Sequence, residues 1–386
     1  MADRRSTMTR NPPRVVLSGG GTAGHVAPAL AVAAELAKLR PDVELLYVGT
    51  ADGIEADLVA RAGIRFEAVK VTALSGRRSL QAVQSAVRAA SATAASLAIL
   101  RRFRPGAALG TGGYVAGPVL AGAWLLGVPT AIHEQNLRPG ITNRLLGHIV
   151  RQVYVSFAAS ARYFPQPGRV VFTGYPVRPA ILASTRAAGA TALGLDPGKP
   201  TLLIVSGSRG ALTINQAVKE GLPPLLRALP GLQVIVSTGQ AYYEDVRASL
   251  IASGLDLSGG ALVVQPYLHA MHHAYAAADL VVGRAGGATH ELTARGLPAI
   301  LVPSPNVAYD QQTDNARILA EAGAARLVSD GAFTGEALAE AVAALLRDQG
   351  GLAVMADKAR ALGRPEAGKD IATRLLALAG HPEAGA

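Results

Sequence analysis

Short apolar runs alternate with helical patterns along most of the chain. Aliphatic and β-branched runs predict strands at Val15–Ser18, Glu44–Val48, Ala107–Leu109, Pro129–His133, Val153–Ser156, Thr201–Ser206, Gln233–Thr238, Ala261–Gln265, Leu280–Val282 and Ala299–Pro303. Between them, helices are expected over Ala29–Lys38, Leu80–Leu100, Ile214–Ala228 and Thr313–Glu321. This βαβα rhythm predicts an α/β protein with parallel sheets covered by helices on both faces. The segment Val170–Pro200 breaks it with Pro176, Pro179, Pro197 and Pro200 around a short Ala-rich piece, the pattern of a hinge. The two halves also open alike. Val15-Val16-Leu17-Ser18-Gly19-Gly20-Gly21-Thr22 is echoed by Leu203-Ile204-Val205-Ser206-Gly207-Ser208-Arg209-Gly210. Two doubly wound, Rossmann-like domains are therefore expected, with the ligand between the carboxyl ends of their strands.

Composition narrows the class. The 386 residues are 50% hydrophobic and 17% charged, which excludes compositional disorder, and there is no cysteine for a disulfide, a thiolate metal site or a thiol nucleophile. Residues 1–14 carry arginines without an apolar run behind them, so no signal peptide is expected, and no stretch reads as a spanning helix. A soluble, cytoplasmic-type protein follows from this reading.

Charge is unevenly shared. Residues 1–193 hold 22 Lys and Arg against 9 Asp and Glu, whereas residues 194–386 hold 15 against 18. Between Ala68 and Leu195 there are fourteen basic residues and one acid, Glu134. A polyanionic partner on the first half fits this split: a phosphorylated substrate, an anionic membrane face or, last, nucleic acid. Aromatic residues are only 4%, too few for the stacking platforms of a single-strand binder, so no nucleic acid is expected.

Several glycine loops carry candidate chemistry. Gly19-Gly20-Gly21-Thr22-Ala23-Gly24 satisfies GxGxxG between a strand and a helix, but the next strand ends Tyr47-Val48-Gly49-Thr50, without the acid a dinucleotide site needs. The loop then reads as a cradle whose amides approach an anionic oxygen. His25 follows it in the first helical turn, a candidate base. Gly110-Thr111-Gly112-Gly113-Tyr114 and Ser206-Gly207-Ser208-Arg209-Gly210 are further loops at strand ends, so more than one phosphate group is expected. In Arg284-Ala285-Gly286-Gly287-Ala288-Thr289-His290-Glu291, small residues admit a phosphate to a helix start, and Glu291 can accept hydrogen bonds from vicinal hydroxyls. In Asp310-Gln311-Gln312-Thr313-Asp314-Asn315, amides and carboxylates suit a sugar. No Asp-x-Asp stands at a strand end, so neither a metal nor a cofactor is assigned.

In this order and spacing, GGGTAGHVAPALA (19–31), GTADGIEADLV (49–59), GTGGYVAGP (110–118), HEQN (133–136), GSRGA (207–211), the 284–291 block with GLPAILVP (296–303), and QQTDNA (311–316) resemble the MurG family of peptidoglycan glycosyltransferases. The resemblance runs from Val15 to about Leu378. It implies a two-domain glycosyltransferase fold of the B type (GT-B). The implied reaction is inverting transfer of N-acetylglucosamine from UDP-GlcNAc to the 4-hydroxyl of MurNAc in lipid I (undecaprenyl-pyrophosphoryl-MurNAc-pentapeptide). Its products are lipid II and UDP, in cell-wall synthesis serving cell shape and division. Residues 14–175 would form the acceptor and membrane-associating domain, 176–200 a hinge and 201–364 the donor domain, with a helix in 365–380 returning to the first domain. The implied place is the cytoplasmic side of the inner membrane, as a peripheral protein.

Residue roles follow from the same resemblance. Thr22, Ala23 and Gly24 line the cleft; Asn136 and Gln312, with Gln311 beside it, contact the transferred sugar; Ser208 contacts the diphosphate; Arg178 belongs to the nucleotide site. The backbone at Leu268 reads the uracil, Glu291 holds the ribose, and Gly286, Gly287, Ala288, Thr289 and His290 complete the donor site. His25 resembles the general base, with Glu134 orienting the base or the acceptor. The helix with Leu80, Val83, Val87 and Arg88, preceded by Arg77 and Arg78, together with Trp124, resembles a membrane-facing patch. Tyr175 stands where Asn is usual and Arg209 where Gln is. Another GT-B enzyme using a UDP-sugar, a lipid glycosyltransferase or a UDP-GlcNAc epimerase, is the alternative; a nicotinamide oxidoreductase and a non-catalytic anionic-surface binder are the remoter ones.

Overall fold

The computed structural model describes residues 11–71, 79–207, 210–307 and 310–382, with the backbone alone over 79–86. Two parallel sheets carry the chain. The first has seven strands, β1 (Arg14–Ser18), β2 (Glu44–Gly49), β3 (Arg65–Ala68), β4 (Ala107–Gly110), β5 (Thr130–Glu134), β6 (Gln152–Val155) and β7 (Val170–Phe172), in the spatial order 3-2-1-4-5-6-7. The second has six, β8 (Thr201–Val205), β9 (Gln233–Ser237), β10 (Leu262–Gln265), β11 (Leu280–Gly283), β12 (Ala299–Leu301) and β13 (Ala325–Leu327), in the order 10-9-8-11-12-13. Both sheets thus reverse direction at the same place, between β1 and β4 and between β8 and β11. In open α/β sheets a ligand binds outside the strand ends at this switch point. The four glycine loops follow these four strands.

The strand residues are apolar on both faces because helices cover both sides. Val16 pairs with Leu46 and Ala108, and Ile204 with Val236 and Val282; all six are fully buried. The ten expected strands are present. The three that the apolar runs do not predict, β3, β7 and β13, lie at sheet edges and are only partly buried. An edge strand with one covered face needs no continuous apolar run; β3 alternates Arg65 and Glu67 with Phe66 and Ala68.

The proline-rich segment expected to be a hinge contains two short helices, Pro179–Ala183 and Arg186–Ala192. Its Val177, Ile181, Ala190 and Leu195 are buried in the core of the second half, and Arg186 pairs with Asp279 at 2.7 Å. The helix Ala367–Leu378 crosses back: Ile371, Ala372, Leu375 and Leu376 join Val15, Leu17, Ala29 and Val32 in one buried cluster. Among the described residues no helix is long and apolar enough to cross a membrane.

Candidate active site

The loops at the carboxyl ends of the two sheets meet, and the candidate residues lie on the two facing walls. On the first wall, Gly19–Thr22 leads from β1 into the helix Ala23–Leu39, which begins six residues before the apolar periodicity predicts because Gly24 and Pro28 mask its first turns. Gly113, at φ +79°, lies so close to the Gly20 carbonyl that a Cβ there would overlap it. Glycine at these positions lets the loops after β1 and β4 stack directly on each other. Thr22 and Gly24 are exposed.

The His25 ring is held from one side. Its Nδ1 lies 3.0 Å from the Gly20 carbonyl oxygen and 3.1 Å from Thr22 Oγ1. A carbonyl only accepts, so Nδ1 carries the proton and Nε2 keeps its lone pair. Nε2 has no hydrogen bond among the described residues, and Gly112 leaves room beside it: a Cβ there would stand 3.3 Å away. Burial lowers the His25 pKa, opposed by the bond to Gly20 and the charge of Glu55, so the ring is neutral at neutral pH.

Glu55 is a residue that the reading of the sequence passed over. It sits in the helix Ile54–Arg61, fully buried, and its carboxylate accepts from Thr50 N at 3.0 Å, Thr50 Oγ1 at 2.6 Å and Gly21 N at 3.3 Å. The acid missing from the end of β2 thus arrives in the first turn of the next helix and folds back onto the glycine loop. Its signal was present in the motif GTADGIEADLV as one of the two acids, Glu55 and Asp57, that open the helix. Tyr47 OH, donating to the Gly19 carbonyl at 2.7 Å, and Thr111 Oγ1, donating to the His25 carbonyl at 2.6 Å, complete the brace.

The HEQN stretch at the end of β5 sends its four side chains to four places. His133 is sealed, its Nε2 at 3.1 Å from the Gly174 carbonyl, and burial pushes its pKa down to about 3. Glu134 is buried and accepts four hydrogen bonds: from Asn136 N and Nδ2 on Oε1, and from Gly140 N and Asn143 Nδ2 on Oε2. Burial raises its pKa and these donors pull it back. Gln135 donates to the Thr111 carbonyl at 2.6 Å. Asn136 reaches the second wall, where its Oδ1 accepts from Asn315 Nδ2 at 3.2 Å.

On the second wall, Gly207 (φ +84°) follows β8 and, among the described residues, has open space where a side chain would stand. Ser208 and Arg209 lie outside the described residues. After β11, Gly286 is likewise open, and Gly287 caps the helix Ala288–Arg295. Thr289 is buried, its hydroxyl donating to the Gly286 carbonyl at 2.8 Å. Arg284 turns away and is anchored on the Val302 and Pro303 carbonyls and on Asp330. Glu291 is buried and pairs with Arg178 at 3.3 Å, with Tyr275 as a further donor. Burial raises the Glu291 pKa against the pull of Arg178, whose own Nε has no partner among the described residues. Leu268 is buried in the loop between β10 and the helix Met271–Ala277. Gln312 Oε1 accepts from Ser304 N at 2.8 Å, leaving its amide NH₂ free of bonds among the described residues.

The walls touch along one seam. His290 Nε2 lies 2.8 Å from the Gln135 carbonyl, its ring stacked 4.9 Å from Tyr175 and against Phe157. Gln311 donates to the Arg138 carbonyl at 3.0 Å, and Arg138 pairs with Asp314 at 2.6 Å. Tyr175, the departure from the family pattern, fills this seam with an aromatic face. Among the described residues no three His, Asp or Glu side chains gather as a metal site.

Comparison with known proteins agrees with this fold. Residues 15–155 match the glycosyltransferase family 28 N-terminal domain and residues 201–374 its C-terminal domain. A UDP-N-acetylglucosamine–N-acetylmuramyl-(pentapeptide) pyrophosphoryl-undecaprenol N-acetylglucosamine transferase of Desulforamulus reducens is 44% identical over 360 residues, covering 93% of this chain and 96% of its own. The crystal structure of Acinetobacter baumannii MurG superposes with a TM-score of 0.71 at 31% identity, covering 95% of this chain and all of that one. The UDP-GlcNAc 2-epimerase from Neisseria meningitidis bound to UDP-GlcNAc has a TM-score of 0.67 at 15% identity, covering 95% and 100%, and shares the fold alone.

Proposed function

The chain belongs to glycosyltransferase family 28 and to its MurG branch, and we propose that it moves N-acetylglucosamine from UDP-GlcNAc to the muramyl 4-hydroxyl of lipid I, releasing UDP and lipid II. The observation that carries this is the pairing of a neutral, one-sidedly held His25 on one wall with open glycine loops and the Arg178–Glu291 pair on the other. Attack by the 4-hydroxyl oxygen on the anomeric carbon forms the new glycosidic bond. The bond from that carbon to the diphosphate breaks, and UDP leaves with the electron pair. The hydroxyl proton goes to His25 Nε2. Amides at Gly207, Gly286 and Gly287 stabilise the charge growing on the diphosphate.

The remaining roles are assigned from the family resemblance. Glu291 takes the ribose hydroxyls and Arg178 neutralises the nucleotide side. Ser208 lies on the diphosphate loop, Leu268 beside the base, and Gln311 and Gln312 beside the sugar with Asn136. Thr22, Ala23 and Gly24 form the acceptor side. Glu134, with both oxygens occupied by loop donors, acts as a positioning residue for Asn136 and Asn143. Residues 14–175 with the returning helix serve the acceptor, and residues 201–364 the donor. Incubation with labelled UDP-GlcNAc and a short-chain lipid I analogue tests the reaction. Label passing to lipid only when the muramyl 4-hydroxyl is present is expected; UDP-GlcNAc binding without transfer would return the chain to the alternatives on the same fold.

A membrane-bound acceptor needs an apolar, basic face, and exposed residues on adjacent helices of the first half support one. Trp124 and Leu125 on Gly113–Leu125, Ile141 and Leu145 on Ile141–Leu146, and Val87 on Ser79–Phe103 are 49–63% exposed, with Arg88 and Arg144 beside them. Arg77 and Arg78, and the side chains of Leu80 and Val83, lie outside the described residues. The face supports a peripheral protein on an anionic membrane, on the cytoplasmic side by the family resemblance, each basic residue adding roughly 1 kcal/mol. Binding to anionic liposomes should fall in Arg77/Arg78→Glu and in Trp124→Ser; undiminished binding would refute the face.

A further inference from the structure

Asn315 is 1% exposed and spends its whole amide on the seam. Its Oδ1 accepts the Leu137 N–H at 3.2 Å. Its Nδ2 donates to Asn136 Oδ1 and to the Ala285 carbonyl, both at 3.2 Å. The first two partners belong to the loop after β5 and the third to the loop after β11, immediately before Gly286 and Gly287. Only a side chain with one acceptor and two donors in a plane meets all three. Asn136 is itself held from behind by Glu134, so a continuous bonded path runs from Glu134 through Asn136 and Asn315 to the backbone of the diphosphate loop. Breaking a buried link of this kind leaves its partners unsatisfied, which costs more than the link itself contributed.

We infer that Asn315 is the clasp of the cleft: it fixes where Asn136 stands over the donor loop and so couples closure of the two walls to the geometry of transfer. It is a positioning residue, and its role rests on the cleft being the site of transfer. Gln311 and the Arg138–Asp314 pair lie beside it on the same seam but are more exposed. The clasp is the most deeply buried of them, at 1% against 8% for Asp314, and the one whose polarity matters.

Three properties separate a clasp from ordinary packing. In Asn315→Leu, close in volume but without polarity, kcat should fall at least tenfold while the UDP dissociation constant stays within threefold. Asn315→Asp, which keeps the shape but aims an oxygen at both Asn136 Oδ1 and the Ala285 carbonyl, should be worse than Asn315→Leu; a packing role predicts the reverse order. Combined with Asn136→Ala, Asn315→Leu should add less than threefold to the loss already present. Hydrogen exchange at the Leu137 amide gives a readout that needs no activity, and it should quicken in both Asn315 variants. Parent-like kcat in Asn315→Leu, a milder Asn315→Asp, fully multiplicative losses or unchanged Leu137 exchange would each overturn the clasp. UDP binding certifies that a variant is folded; should Asn315→Leu lose it, Asn315→Asp and the exchange measurement decide. A parent protein that transfers no sugar would overturn the proposed function instead, and Leu137 exchange alone would then decide the clasp.

Discussion

The two walls of the cleft are built from the same strand order and similar glycine loops, yet they treat their glycines differently. On the first wall the space beside the loop is filled: Glu55 packs against Gly20, Gly49 and Gly53, and Gly113 lies against Gly20. On the second, among the described residues, Gly207 and Gly286 have nothing within 4 Å of where a side chain would stand. The absent Cβ therefore serves packing at Gly20 and Gly113 on one wall and access at Gly207 and Gly286 on the other, where Gly210 alone of its loop's glycines packs tightly, against Tyr242. A wall that must hold an imidazole at a fixed angle needs a braced loop, whereas a wall that admits a diphosphate needs a bare one. The ionisable groups follow the same division. His25 has one nitrogen committed and one uncommitted, while Arg178 and Glu291 face each other as a pair.

The largest effect should come from the uncommitted nitrogen. His25→Ala should lower kcat by about 10²–10⁴-fold, the usual worth of a positioned base, while UDP binding, a property of the other wall, stays intact. In the parent, the acid limb of kcat/KM should lie below the ordinary imidazole range near pH 6.5, because burial lowers the His25 pKa. Turnover within a few fold of the parent would remove His25 from the role and with it the functional contrast between the walls.

Matched glycine substitutions sharpen the contrast more directly. Gly113→Ala forces an L-residue to φ +79° and drives its Cβ into the Gly20 carbonyl. It should cost about 1–2 kcal/mol for the backbone alone, seen as a lower denaturation midpoint. Gly286→Ala meets no neighbour and should leave stability within about 0.5 kcal/mol. Its methyl group would stand where the diphosphate belongs, so the UDP dissociation constant should rise about tenfold, or 1.4 kcal/mol. Equal effects of the two substitutions on stability, or on binding, would erase the distinction.

What the sequence made legible divides along similar lines. Nine of the ten visible strands lie inside a sheet and are largely apolar; the tenth, β10, is an edge strand whose Leu262-Val263-Val264 run still reads as apolar, while β3, β7 and β13 escaped because an edge leaves half the strand free to be polar. The glycine loops were legible because the absence of a side chain is itself a property of the sequence. The pairings across the seam were not. Asn136 and Asn315 stand 179 residues apart, and Arg178 and Glu291 stand 113 apart. Each residue was flagged by its motif or its neighbourhood, but only the facing of the two sheets says which meets which. Glu55 was hidden for another reason: its acid lies beyond the strand end where a nucleotide-binding acid is sought, in the first turn of the following helix, and it returns through the fold.

The smallest expected effect concerns two histidines that differ in place, one buried and one half-buried. His133 is sealed inside the first half, with a pKa pushed down to about 3, and His290 sits on the seam with a pKa near 4. Both are neutral when folded but titrate near 6.5 when unfolded, so between those values the unfolded chain binds more protons. The stability they contribute is complete above about pH 6.5 and is lost as pH falls toward the folded values. Glu134 and Glu291 act in the opposite sense, since burial raises their pKa and their protonation favours the folded state as pH falls. Comparison with a variant isolates the seam. Relative to His290→Gln, the parent should lose stability between pH 6.5 and 4.5 by about 1 kcal/mol, the full 1.4 kcal/mol per unit being discounted for a partly exposed ring. Because His290 bonds to Gln135 across the walls, the loss should appear first as separation of the unfolding transitions of the two halves. A pH-independent difference between parent and variant would show that acid does not act at the seam.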